Sequence, residues 1–294
     1  MGKWNRTLGI AVLAVAVVFG VSHGAASAFA GGRAEVRKQA EASMLVTGTI
    51  DIDTKGSVTA YRIEQADALP KAMLDIVDSR VRGWRFEPVL VDGEARPARA
   101  PMQLRLITRQ DGDRYMLRIG GASFSTYDED DTEAPRRRGG RLSPPKFPDL
   151  AVSNGVSGTV YLVARIGRDG SVEDAIAEQV NLRAIGTEKE MSQFRYLLAE
   201  ETRRVALRHW KFDFPTTGPD ADAPFVSVRV PVDFVFRGQQ QEVPGKWIAY
   251  VPGPRQDVPW RNWDAAVQAP DAMLAGGLYP DRPKGPRLLT DLDG

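Results

Sequence analysis

The most regular hydrophobic pattern in the chain surrounds residue 230. Every second residue from Val226 to Phe236 is valine or phenylalanine, and such strict alternation is typical of a strand with one buried face. Pro231 lies within this run, and proline cannot donate a hydrogen bond to a neighbouring strand, so it indicates a sheet edge or a bulge. The pattern predicts a closing strand over Phe225 to Phe236 that is at least partly an edge.

A hairpin and a helix are predicted before this strand. Apolar residues alternate from Val160 to Ile166, and Arg168-Asp169-Gly170 supplies a turn into a return strand over 172–180, since glycine adopts positive φ without strain. Apolar residues then recur at helical spacing from Met191 to Val205, which predicts an amphipathic helix over about 189–208.

The same order of signals occurs earlier in the chain, which indicates an internal repeat. Each copy contains Gly-Thr, Gly-Ser-Val, a helical segment, Trp-x-Phe and Ala-Pro. The matching positions are Gly48-Thr49 and Gly158-Thr159, Gly56-Ser57-Val58 and Gly170-Ser171-Val172, Trp84-Arg85-Phe86 and Trp210-Lys211-Phe212, and Ala100-Pro101 and Ala223-Pro224. In the first copy the helix is expected from about Pro70 to Val81, with a further strand over 114–124. The prediction is an α+β fold with two tandem small domains, each an antiparallel sheet of about three to four strands packed on one or two helices.

Composition shifts divide the chain into six segments. They are a signal peptide over 1–30, a short spacer over 31–43, a degenerate first unit over 44–122, a charged linker over 123–141, a full second unit over 142–238 and a Pro/Gly/Trp-rich tail over 239–294. The tail carries Trp247, Trp260 and Trp263, and we expect it to wrap the second unit and bury these rings. A partner-binding segment is the alternative.

The first residues have the layout of a secretory signal peptide. Lys3 and Arg6 precede an apolar run from Leu8 to Val21, and Ala28-Phe29-Ala30 follows with small residues at the first and third positions. Leu8 to Ala30 could also span a membrane, since spanning takes about 20 residues, so a retained anchor stays open. In either case the bulk of the chain is expected outside the cytoplasm.

Composition argues against several classes of chemistry. The formal net charge of +1 gives no general attraction to nucleic acid. The chain has no cysteine, and its two histidines are His23 and His209, too few for a multi-histidine metal site. We expect no catalytic residue, no cofactor and no metal.

The second copy resembles the TonB C-terminal domain. The resemblance rests on Pro144-Pro145-Lys146-Phe147-Pro148, Gly155-Val156-Ser157-Gly158-Thr159-Val160, Arg168-Asp169-Gly170-Ser171-Val172, Trp210-Lys211-Phe212 and Val230-Pro231-Val232-Asp233-Phe234. It covers Leu142 to Arg237, and a degenerate version without the leading proline motif covers Met44 to Ile107. The resemblance implies a periplasmic α+β domain that captures an extended peptide of an outer-membrane receptor or another envelope protein by strand addition.

Carried onto this chain, the resemblance places the partner-binding edge on the closing strand. The candidate residues are Phe225, Ser227, Arg229, Pro231, Asp233 and Val235. Two alternatives stay open. The first is a TonB-type energy transducer that contacts the inner membrane through a retained N-terminal segment, although no proline occurs in 31–43 to begin a rod across the periplasm. The second is a structural envelope protein whose sheets pair with themselves, as in a homodimer.

Overall fold

The computed structural model describes residues 30–112, 114–125, 130–261, 273–281 and 285–292. The predicted signal peptide therefore lies outside the described residues, except for Ala30. Across the described ranges, none of the helices has the length and apolar character needed to cross a membrane.

Helices and antiparallel strands make up much of the described chain. The helices are α1 (Ala30–Lys38), α2 (Lys71–Val81), α3 (Asp149–Ser153) and α4 (Glu188–His209), with a 3₁₀ helix at Ala66–Ala68. The strands as far as residue 125 are β1 (Glu41–Ile52), β2 (Val58–Ile63), β3 (Leu90–Val91), β4 (Glu94–Ala95), β5 (Ala98–Asp111) and β6 (Arg114–Ser123). The later strands are β7 (Arg136–Arg137), β8 (Gly158–Gly167), β9 (Val172–Leu182), β10 (Phe212–Asp213), β11 (Phe225–Phe234), β12 (Trp247–Tyr250) and β13 (Tyr279–Pro280).

These strands form two main antiparallel sheets. The first has the order β12-β1-β5-β6, with β2 also paired to β1, and the second has the order β13-β11-β8-β9. The predicted α+β fold is confirmed. Each sheet gains one strand from the tail, β12 in the first and β13 in the second. Sequence reasoning did not predict these strands, because two or four residues give no measurable alternation.

The internal repeat is also a repeat of backbone contacts. Phe86 N donates to Gly56 O at 2.7 Å, and Phe212 N donates to Gly170 O at 2.9 Å. Gly56 and Gly170 have φ of 81° and 80°. A Cβ at Gly170 would lie 1.9 Å from Phe212 O, so the Trp-x-Phe segment can cross the hairpin only over a glycine.

Each unit has its own hydrophobic core. In the second unit, α4 packs on β8 and β9, and Met191, Phe194, Leu198 and Val205 on its inner face are buried, as their spacing predicts. Thr187 and Glu190 form a reciprocal capping box that fixes where α4 begins. In the first unit, α2 begins just after Pro70 and contributes Val77 and Val81 to the core.

Two predicted connecting segments pack on the second unit. The predicted spacer over 31–43 is largely helical, and Val36 on α1 is 1% exposed within the second core. In the predicted linker over 123–141, Ala134 is buried and β7 pairs with β10. Charge dominates the composition of both segments, so their few anchoring apolar residues give no periodic signal.

The tail contacts both units rather than wrapping the second alone. Residues Glu41–Met44 of β1 pair with β12, and Val251 then exchanges two backbone hydrogen bonds with Leu182 at the end of β9. Farther on, Leu288 is buried in the first core. The tail therefore ties the two sheets together along much of its length.

The tryptophans of the tail differ in their surroundings. Trp247 packs against the first core, and Trp260 is half-buried with the Arg165 guanidinium 5.9 Å from its ring centre. Trp263 lies outside the described residues. Of the two described rings, Trp247 therefore packs against the core of the first unit.

We expect Gly170→Ala to lower the free energy of unfolding by about 2–4 kcal/mol, because a Cβ there meets backbone and the residue must keep a positive φ. Gly155→Ala is the matched control, since Gly155 has φ of 65° and open space around its Cβ position. It should cost about 1 kcal/mol. Chemical denaturation of both variants checks this, and equal losses would contradict the role given to the crossing.

Candidate functional site

The edge of β11 on which the sequence analysis placed the binding site is paired with the chain's own tail. Asp281 N donates to Ser227 O at 3.0 Å, and Gly276 N donates to Pro231 O at 3.0 Å. Between these contacts, Arg229 lies opposite Tyr279 in the antiparallel register. Residues 276–281 therefore cover the edge from Ser227 to Pro231.

Pro231 lies where its missing N–H removes no hydrogen bond to β8. Backbone groups of alternate residues point to opposite sides of a strand, so Ser227, Arg229 and Pro231 all face β13, and the residues between them face β8. The ladder from β11 to β8 is continuous past Pro231. The edge that Pro231 predicts is covered in the structure by the two-residue strand β13.

Arg229 is the largest departure from the sequence interpretation. We expected it on an open edge, but it is 0% exposed and lies under the tail. Its Nε lies 2.8 Å from Glu178 Oε2 on β9, and its Nη2 lies 3.3 Å from Asp281 Oδ1 in the tail. A fully buried guanidinium is stable only with such carboxylate partners.

Two further arginines complete this group of charges, which we call the buried ion cluster. Its members are Glu178, Arg229, Arg255, Arg261 and Asp281. Arg261 Nη1 and Arg255 Nη2 lie 2.9 and 3.0 Å from Glu178 Oε1, and Arg261 Nε donates to Asp281 Oδ2 at 3.1 Å. The sheet supplies one charge of each sign, and the tail supplies the other three.

The cluster holds Glu178 in its charged form. Burial by itself raises the pKa of this carboxyl, but the charge of Arg229, followed by the hydrogen bond and charge of Arg261, outweighs burial. The net result is a pKa of Glu178 below its ordinary value of 4.5. Glu178 therefore stabilises the fold at neutral pH and loses this contribution as the pH falls through its lowered pKa.

The opposite edge of the second sheet also carries tail residues. Gln256 N donates to Glu178 O at 2.7 Å, and Gly253 N donates to the Asn181 side chain at 3.1 Å. The tail thus lies along β9 first, contributes Arg255 and Arg261 to the cluster, and later lies along β11.

The other candidate residues flank the covered stretch. Phe225 stacks on Arg165, whose guanidinium is 5.1 Å from the ring centre, and Asp233 pairs with Arg183 at 3.2 Å. Val235 follows the last residue of β11. The structure therefore gathers Ser227, Arg229 and Pro231 under the tail and leaves Phe225, Asp233 and Val235 beyond its two ends.

Sequence reasoning missed the three partners that the tail brings to Arg229 and Glu178. The available signal was an arginine and a glutamate on two predicted strands of one sheet. When opposite charges lie on the face of a sheet that is turned away from the helix, they indicate that another segment of the protein covers that face. The residues that do so, Arg255, Arg261 and Asp281, stand in a segment without periodicity.

The described residues hold no group of three or more His, Cys, Asp or Glu side chains that could bind a metal ion. The site offers backbone pairing along β11 and charge pairing at Arg229.

We expect Arg229→Met to lower the free energy of unfolding by about 3–5 kcal/mol, because it leaves buried carboxylates with fewer partners. Arg204→Met is the control. Arg204 pairs with Glu201 on the surface of α4, with its side chain 48% exposed, so its loss should cost less than about 1 kcal/mol. Denaturant titration measures both, and similar small losses would contradict the importance of the cluster.

The acid side of the stability profile should depend on Glu178. The free energy of unfolding is expected to fall as the pH drops below about 4.5, because a carboxyl with a lowered native pKa binds its proton more readily when unfolded. Glu178→Gln should be less stable at pH 7 and show a flatter decline on acidification. An unchanged slope in this variant would contradict the charge state given to Glu178.

Comparison with known family models, curated proteins and solved structures finds no match to this chain. The functional assignment therefore depends on the geometry of the β11 edge and the buried ion cluster.

Proposed function

We propose that this protein is a non-catalytic binding protein of the bacterial periplasm. Its second unit would hold an extended peptide of an outer-membrane or envelope partner against the edge of β11. One observation carries the proposal: this edge already accepts residues 276–281 through backbone hydrogen bonds, with Tyr279–Pro280 added to the sheet as a short strand. Its present occupant belongs to the same chain.

The edge offers what strand addition requires. Main-chain groups of Ser227, Arg229 and Pro231 face the occupant and supply affinity without regard to sequence. Side chains on the two faces of the sheet then set the register, with the hydrophobic core on one face and the buried ion cluster on the other.

The two units differ in how firmly this edge is closed. In the first unit, β5 is the counterpart of β11, and β6 pairs with it at nine positions, from Gln103 opposite Ser123 to Asp111 opposite Arg114. That strand follows β5 directly as a hairpin, so little chain entropy is lost in closing it. In the second unit β13 has two residues and begins 45 positions after β11 ends. The second unit is therefore the one whose edge can exchange occupants.

One observation favours a second candidate, a structural envelope protein whose tail stays in place. Both edges of the second sheet carry tail residues, Gln256 on β9 and Tyr279 on β11. In that case the tail serves to blunt the edges against association, and no extended peptide would bind.

A reversible disulfide between β11 and β13, which we call the lock, distinguishes the two candidate functions. Val228 and Pro280 are directly opposite across β11 and β13 as a non-hydrogen-bonded pair, whose Cα atoms lie about 4.5 Å apart, within reach of a disulfide. Since the chain has no cysteine, Val228→Cys with Pro280→Cys creates a single bridge. In the reduced state, an array of peptides from the amino-terminal segments of outer-membrane receptors should capture the full chain, and oxidation should abolish capture.

The single variant Val228→Cys, treated with the same oxidant, is the control and should keep its binding. Absence of capture in every state, or capture that oxidation leaves unchanged, would overturn the proposal and favour the structural candidate.

A further inference from the structure

The occupant of the β11 edge is anchored by one aliphatic side chain. Leu278 is 0% exposed and belongs to the hydrophobic core of the second unit. The register that places Pro280 opposite Val228 places Leu278 beside Val230, on the face that packs against α4. Displacing the tail therefore empties a leucine-sized site that an incoming strand has to refill, because a cavity in a close-packed core is costly.

A turn takes the chain off the edge at the position where the ladder ends. Gly276 has φ of 80°, and a Cβ on Gly277 would lie 2.5 Å from the ring of Tyr279. The Tyr279 hydroxyl accepts a hydrogen bond from Leu274 N at 3.1 Å. The paired stretch is therefore short, and its specificity has to come from the side chains between Leu278 and Asp281.

The other specific contact is a carboxylate. Arg255 and Arg261 belong to the part of the tail that lies along β9. They therefore stay at the cluster when only residues 276–281 leave the β11 edge. Among the described residues, the fully buried Arg229 would then keep Glu178 as its one carboxylate partner. An occupant of this edge has to supply a negative charge in place of Asp281.

We propose that residues Gly276–Asp281 are an internal substitute for the partner's peptide. The partner of this edge is accordingly an extended segment with a leucine-like residue and, three positions later, an aspartate or glutamate. This inference depends on the proposed function, since it names the ligand class and the regulation of the same edge.

The internal substitute also regulates the site. A partner binds only in the fraction of molecules in which the edge is open, so its apparent affinity is reduced by that fraction. A peptide with both specific side chains displaces the tail, whereas a peptide with neither does not compete. The tail thus excludes unrelated extended segments.

The probe for the test is a fluorescent peptide with the sequence of residues 273–281, acetylated and amidated so that Asp281 supplies its one charge. The host is full-length chain with Leu278→Ala, which weakens the internal occupant. We expect the probe to bind this host at least about 10-fold more tightly than the wild type. Leu289→Ala is the matched host control, because Leu289 is a tail leucine that is 56% exposed, and it should behave as the wild type.

Three altered probes test the ligand class on the same host. Probes with Leu278→Ala or Asp281→Asn should bind at least about 10-fold more weakly than the parent probe. A scrambled probe of identical composition should not bind. Equal binding by the parent and both substituted probes would overturn the inference.

A second host keeps the test decisive if Leu278→Ala does not fold. The reduced double-cysteine chain (Val228→Cys with Pro280→Cys) should bind the parent probe, and the oxidised chain should not. Lock-sensitive capture of receptor peptides without selectivity for leucine and aspartate would refute the ligand class and leave the proposed function standing. Loss of lock sensitivity would refute both.

Discussion

The ion pairs around Arg229 are the constraint on which the second unit depends. This guanidinium is fully buried on the strand at the centre of the tail-covered stretch, so its charge needs carboxylate partners. Glu178 on the same sheet pairs with its Nε, and Asp281 of the tail pairs with its Nη2. The Arg229 ion pairs are therefore complete only when a carboxylate lies along the β11 edge, and in this structure Asp281 of the tail supplies it.

The internal repeat explains why that edge is special. Both copies build the same hairpin, helix and Trp-x-Phe crossing, and Gly56 and Gly170 make the same close approach to backbone. In the first copy β6 closes the edge of β5 by a local hairpin. In the second copy β13 closes the edge of β11 from far along the chain. The same fold thus has one edge that is closed by the next strand in the chain and one that is closed by a two-residue strand of the tail.

Much of the fold could be predicted from the sequence, whereas the site could be predicted only in part. The long periodic elements, α4 and β11, agree with their patterns because many residues report the same face. Pro231 predicted an edge, and β13 covers that edge in the structure. The occupant was missed because β13 has two residues and no alternation. The orientation of Glu178 was also hidden, since β-bulges shift the register between β8 and β9 and a single bulge reverses which face the following residues take.

The proposed function requires that the tail strand opens by itself while the rest of the sheet stays folded. Amide hydrogen exchange tests it within one strand, because the N–H of Arg229 faces the tail while those of Val228 and Val230 face β8. We expect the amides of Arg229 and Tyr279 to exchange through a local opening, faster than those of Val228 and Val230, which exchange only on global unfolding. Equal protection of all four amides would contradict it and would make the tail a permanent part of the sheet.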